Sequence, residues 1–194
     1  LPAARAALCL EPEPAGSDQV VPLEAAGAVS VAGWFKSLPA RVDWRDVTVP
    51  VWPQAIDPGG VVGVGRRIAA AYLLEASDIA GEELKKLRDA FRDKANHAGL
   101  PIARLIWRYA DGTTAEAGIR FGWDVRSRVA EAVPYAYGAV ASRTFDGAQG
   151  EPVALYLRQW VNPRPEVAVE SVTLESLVDP ARPVLLGAAV RLAK

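Results

Sequence analysis

The sequence predicts an all-β protein, an antiparallel jelly-roll-like β-sandwich with one inserted α-helix. Three observations carry this. Apolar and polar residues alternate with a period of two through most of the second half. Short alternating runs are separated by Gly, Pro and Asp turn signals. One stretch alone, SDIAGEELKKLRDAFRDKANHAG, has helical spacing instead.

Taken in order, the first strand candidates are DVTVPVW, VVGVG and RRIAAAYLLEA. The helix is expected between Asp78 and His97, capped by Ser77 or Asp78, with Ile79, Leu84, Leu87 and Phe91 on one stripe. Glu82 and Glu83 near its start and Arg92 and Lys94 near its end suit the helix dipole. Gly99 and Pro101 end it. In PIARLIWRYADGTTAEAGIRF, Ala103, Leu105, Trp107 and Tyr109 alternate with Ile102, Arg104, Ile106 and Arg108. Asp111-Gly112 then supplies a positive-φ pair for a tight turn, and Thr113, Ala115, Ala117, Ile119 and Phe121 share a face on the return strand. YAYGAVAS is a further candidate. In ALYLRQWV, Tyr156, Arg158 and Trp160 oppose Val153, Leu155, Leu157 and Val161. Pro163 and Pro165 lack amide donors, so the chain must turn there. EVAVESVTLES resumes the alternation, with Val167, Val169, Ser171 and Thr173 against Ala168, Glu170, Val172 and Leu174. PVLLGAAVRL closes the set, with Val184, Leu186, Ala188, Val190 and Leu192 on one side.

A chain of 194 residues suffices for one substantial core. We divide it into an N-terminal extension with first strands, 1–46, and a sandwich, 47–194, the two forming one domain. A net charge of -1 gives no field to steer it towards nucleic acid. The single cysteine, Cys9, excludes an internal disulfide and a cysteine zinc cage, and the single histidine, His97, excludes a histidine-rich metal site. No run reaches the roughly 20 apolar residues of a membrane span. A start at Leu1 with no methionine reads as a piece of a larger parent, and LPAARAALCL reads as a linker or first strand rather than a signal remnant.

The strand order together with YADGTT and QWVNPRPEVAVESVTLES resembles the galactose-binding-domain-like β-sandwich modules of bacterial carbohydrate-active and surface proteins. The likeness spans roughly Val47 to Leu192, with the helix as an insertion. It implies a jelly-roll sandwich, an extracellular or periplasmic setting, and a binding or accessory role without catalysis. It also implies that Trp160, before the Asn-Pro turn, belongs to the scaffold. Such modules often hold a structural calcium ion; Asp57, Asp111 and Asp146 stand in expected turns but form no dense oxygen cluster, so no cofactor is expected.

For binding, the tryptophans are the raw material, because a flat ring stacks on the apolar face of a pyranose while charged neighbours bond its hydroxyls. The candidate ligand residues are Trp34, Trp44, Arg45, Asp46, Trp52, Trp123 and Asp124. The competing reading is that these rings cover the sandwich edge. A glycoside hydrolase or lyase would need two carboxyls roughly 5 to 9.5 Å apart across a cleft, which spacing along the chain does not establish. The expected function is therefore a carbohydrate-binding or accessory module of a larger protein. The alternative is a structural domain whose partner is another domain of the parent.

Overall fold

The computed structural model describes residues 20–22, 27–30, 35–36, 48–52, 55–93, 99–129, 136, 138–139, 141–146 and 152–194. Their strands are β1 (Val20–Pro22), β2 (Gly27–Ser30), β3 (Phe35–Lys36), β4 (Thr48–Val51), β5 (Val61–Arg66), β6 (Ile68–Ser77), β7 (Leu100–Tyr109), β8 (Thr114–Phe121), β9 (Ala141–Asp146), β10 (Pro152–Val161), β11 (Val169–Ser176) and β12 (Pro183–Leu192). One helix, α1 (Gly81–Asp93), joins β6 to β7. Two antiparallel sheets pack as a sandwich, as the alternation requires. The larger has the order β1-β12-β6-β10-β9-β3 and the smaller β5-β11-β7-β8, while β2 and β4 form a separate ribbon. The chain changes sheet between β5 and β6, β6 and β7, β8 and β9, β10 and β11, and β11 and β12.

In the smaller sheet the alternation places Ala103, Leu105, Trp107 and Tyr109 in the core, opposite Arg104, Ile106 and Arg108 on the open face. Across from Trp107, Trp160 of β10 lies flat on it, ring centroids 4.0 Å apart and planes within 1°. At its centre, in β6 and β12, the larger sheet is buried on both faces. Leu73 and Ala188 share one face, Tyr72 and Ala189 the other, and all four are enclosed. Beside it, β4 lies against β12 and β6, and the Trp52 amide donates to the Leu186 carbonyl at 2.8 Å.

Local details depart from the simplest sequence patterns. A β-bulge between Val169 and Ser171 resets β11, so Val169 and Val172 both point inwards although strict alternation would oppose them. A second irregularity, between Leu185 and Gly187, puts Val184 and Ala188 on opposite faces of β12. In the hairpin between β7 and β8, only Gly112 has positive φ (81°). The turn is a three-residue loop, with the Gly112 amide bonded to the Tyr109 carbonyl and the Tyr109 amide to the Thr113 carbonyl, both at 2.9 Å. Asp146 ends β9, paired with Pro152, rather than standing in a turn.

Helix α1 starts three residues later than expected. Neither proposed cap serves it: Ser77 ends β6 with its hydroxyl bonded to the Ala181 carbonyl, and Asp78 pairs with Arg128 at 2.9 Å. Ala80 accepts the first helical bond, from Leu84. Leu84 and Leu87 are buried, as is Ile79 just ahead of the helix. Lys94 and His97 lie outside the described residues.

Candidate functional site

The two segments most distinctive in the sequence, YADGTT and WVNPRP, meet at one end of the sandwich. Asn162 is the hub. Its Oδ1 accepts the Tyr109 hydroxyl at 2.6 Å and the Arg164 amide at 2.9 Å, while its Nδ2 donates to the Ile68 carbonyl at 2.7 Å. Burial pushes the Tyr109 phenol above its usual pKa, so it stays a donor. Arg164 then reaches over the Tyr109 ring to bond Asp111 at 2.7 Å and the Thr113 hydroxyl. Asp111 also accepts the Thr113 hydroxyl at 2.6 Å and its amide at 3.0 Å. Bonds from Thr113 and Arg164 together hold the Asp111 carboxyl down at about 2. With the Trp107–Trp160 stack, these contacts clamp the turn after β10 onto the β7–β8 hairpin. Trp160, 9% exposed, is a core plug rather than a ligand platform.

Between the sheets, Arg158 bonds Glu75 at 2.8 Å and the Gly118 carbonyl at 2.6 Å. The bonded turn at Tyr109 and Thr113 sets the β7–β8 register, so Gly118 directs its carbonyl away from β7, at the free edge of β8. Asp124 takes the next outward group, the Arg120 amide, at 2.8 Å. Both contacts blunt an edge that could otherwise pair with another strand. Burial outweighs the nearby guanidinium and pushes the Glu75 carboxyl up. Among the described residues, Glu75 Oε2 and Arg158 Nε have no hydrogen-bond partner.

Of the residues singled out for ligand binding, Trp34, Trp44, Arg45 and Asp46 lie outside the described residues. Trp52 is 5% exposed and belongs to the core. Trp123 and Asp124 share the turn that follows β8. Asp124 is buried, and its carboxylate also accepts from the Arg120 guanidinium at 2.9 and 3.2 Å. Trp123 is half-buried beneath that guanidinium, 5.3 Å from the ring centroid. Gly99 and Gly138 press so closely that a Cβ at either would come within 2.6 Å of Trp123.

At the opposite end from the clamp, three connections gather around a cleft of about 620 Å³. Asp57 and Pro58 enter from the turn before β5, Asp78 from the end of β6, and Ser176 to Asp179 with Arg182 to Val184 from the β11–β12 connection. Sequence alone dictates turns here: both Asp57-Pro58 and Asp179-Pro180 are Asp-Pro steps, and Gly59 (φ 87°) follows the first. Arg182, at φ 41°, is held left-handed while its carbonyl accepts the Asp78 amide at 2.8 Å. Such a backbone costs on the order of 1–3 kcal/mol for a residue with a side chain. Asp78 is neutralised by Arg128, and Arg182 lies 3.8 Å from Glu83 of α1. Asp57 and Asp179 are exposed, and their carboxylates have no partner among the described residues. Leu177 stands on the rim, 47% exposed. Reading for aromatics passed over Asp179, Leu177 and Arg182; the paired Asp-Pro steps were the available signal.

The fold and its sites define an antiparallel β-sandwich domain with a polar cleft between its loops. No family model matches the chain, and no curated protein or solved structure matches it. Among the described residues no helix is long and apolar enough to cross a membrane, and no group of three or more His, Cys, Asp or Glu could hold a metal ion.

Proposed function

We propose that the chain is a non-catalytic carbohydrate-binding or accessory module of a larger carbohydrate-active protein, working outside the cytoplasm. The observation that carries this reading is the loop cleft. It offers the partnerless carboxylates of Asp57 and Asp179 to sugar hydroxyls, and the apolar surfaces of Pro58 and Leu177 to a ring's C–H face. The likeness of YADGTT and QWVNPRPEVAVESVTLES to galactose-binding-like modules supports the same reading. A glycosidase needs a carboxyl that stays protonated to act as acid. Among the described carboxyls, burial pushes up Glu75, which is enclosed against Arg158 and does not line the cleft.

Titration calorimetry against a broad glycan panel tests the proposal. A Kd in the micromolar to millimolar range, about -8 to -4 kcal/mol, is expected for an exposed sugar. A folded chain that binds no glycan overturns it. That outcome favours the alternative, a structural or protein-interaction domain without a sugar ligand.

A further inference from the structure

The edge of a sheet is a row of unpaired amides and carbonyls, a template for another strand unless it is covered, cut short or interrupted. Among the described strands, β1 and β3 end the larger sheet and are only three and two residues long. On one side of the smaller sheet β5 is the last strand, and Gly65, at φ 67°, breaks its extended backbone. On the other side β8 is the last, and its first half is continuous. The bond from Tyr109 to Thr113 fixes the phase of the ladder, so the amides and carbonyls of Thr114 and Glu116 point away from β7. Thr114, Glu116 and Gly118 are exposed. Blocking starts only at the Gly118 carbonyl, which accepts from Arg158, and at the Arg120 amide, which donates to Asp124. The larger sheet is also narrower on this half, because β9 pairs with β10 only from Pro152 to Leu157.

We propose that this half of β8 pairs antiparallel with the same half of a second copy, about a two-fold axis at Ala115. The register follows by elimination. An axis at Glu116 sets two carboxylates directly opposite each other, which destabilises a ladder. An axis at Ala117 needs the Gly118 carbonyl that Arg158 already occupies. An axis at Thr114 brings Glu116 against Gly112, whose φ of 81° belongs to the turn. With the axis at Ala115, Thr114 faces the partner's Glu116 on both sides of it, and each pair exchanges its outward backbone bonds. Arg108 stands beside Thr114 in the register, is exposed and has no ion-pair partner among the described residues. The partner's Glu116 then lies on the same face, two strand spacings or about 10 Å from Arg108 across Thr114, where two long side chains can meet. The edge therefore carries its own complementary charge, and this fits it to a copy of itself. Two four-stranded sheets join into one, with the two loop clefts pointing to its opposite ends.

Sedimentation equilibrium on the full chain, from micromolar to millimolar concentration, should show a monomer–dimer equilibrium. Hydrogen exchange locates the interface: protection of the Thr114 and Glu116 amides should rise with concentration while that of β5 stays unchanged. Glu116→Pro removes an outward amide that serves no bond within the sheet, so it should weaken the dimer at least about tenfold with the melting temperature held. Arg108→Glu should weaken it about two- to fivefold, less at high salt, and combining it with Glu116→Arg should restore the affinity. A chain that stays monomeric throughout overturns the proposal. So does a dimer whose Thr114 and Glu116 amides gain no protection, an outcome readable on the wild type even if Glu116→Pro fails to fold.

Discussion

The two ends of the sandwich use polar residues in opposite ways. At the clamp, the polar side chains of Tyr109, Asp111, Thr113, Asn162 and Arg164 are bonded to one another. At the cleft, Asp57 and Asp179 remain open to solvent while Arg128 and Glu83 neutralise their neighbours. In the buried part of the clamp, removing Asn162 strands the Tyr109 hydroxyl in low dielectric, while Asp111, Thr113 and Arg164 close the hairpin at the surface. An open set of charges contributes little to stability and is free to meet a ligand. The contrast separates residues that build the fold from residues that can act, and substitutions at each end can break it.

The largest effects belong to the interior and the clamp. Trp160→Ala removes a buried ring stacked on Trp107 and is expected to cost roughly 3–5 kcal/mol, read by denaturant unfolding. Glycan binding measured where the variant is folded should be unchanged; lost binding with an unaltered melting temperature would return Trp160 to the role of ligand platform. Arg158→Met strands Glu75 and uncovers the Gly118 carbonyl, and it too should cost about 3–5 kcal/mol. Glu75→Gln should cost less, since the glutamine amide keeps an oxygen to accept from Arg158 while Arg158→Met removes both of its hydrogen bonds. Equal losses for the two would mean that the charge of Glu75, and not the hydrogen bond alone, holds Arg158.

Asn162→Ala removes the acceptor of the buried Tyr109 hydroxyl and should cost about 1–3 kcal/mol. This residue shows how far the sequence was legible. The turn at WVNPRP followed from two prolines that cannot donate, and the facing of Trp107 and Tyr109 followed from period two. That the two segments bind each other did not, because partners 53 residues apart leave no periodic trace. The bulge at Val169 was invisible for a related reason: it changes the phase of an alternation without changing its composition. The candidate site was less legible still. Tryptophan catches attention as a binding residue, yet burial claimed Trp52, Trp107 and Trp160, and the open carboxylates stand on ordinary Asp-Pro turns.

A smaller effect distinguishes the clamp by pH. The Asp111 carboxyl is held at about 2 against an ordinary 3.8. A depressed folded value means the ionised form is favoured by folding, so its contribution is complete above 3.8 and is lost as pH falls towards 2. Asp111→Ala should therefore melt below the wild type at neutral pH, and the gap should close across that window. A gap independent of pH would assign the loss to the turn's backbone instead of to charge.

The smallest stability effect is expected at the cleft, and it tests the contrast most directly. Asp57→Asn and Asp179→Asn each replace an exposed carboxylate without a described partner, so each should change unfolding free energy by no more than about 0.5 kcal/mol. Both aspartates precede a proline, where the backbone favours extended conformations for any residue, and asparagine keeps the turn chemistry of aspartate. The substitutions thus alter charge and little else. Denaturant unfolding of both variants is the measurement. A loss above 1 kcal/mol would show the carboxylates working for the fold, as those of the clamp do, and the two ends would no longer differ in kind.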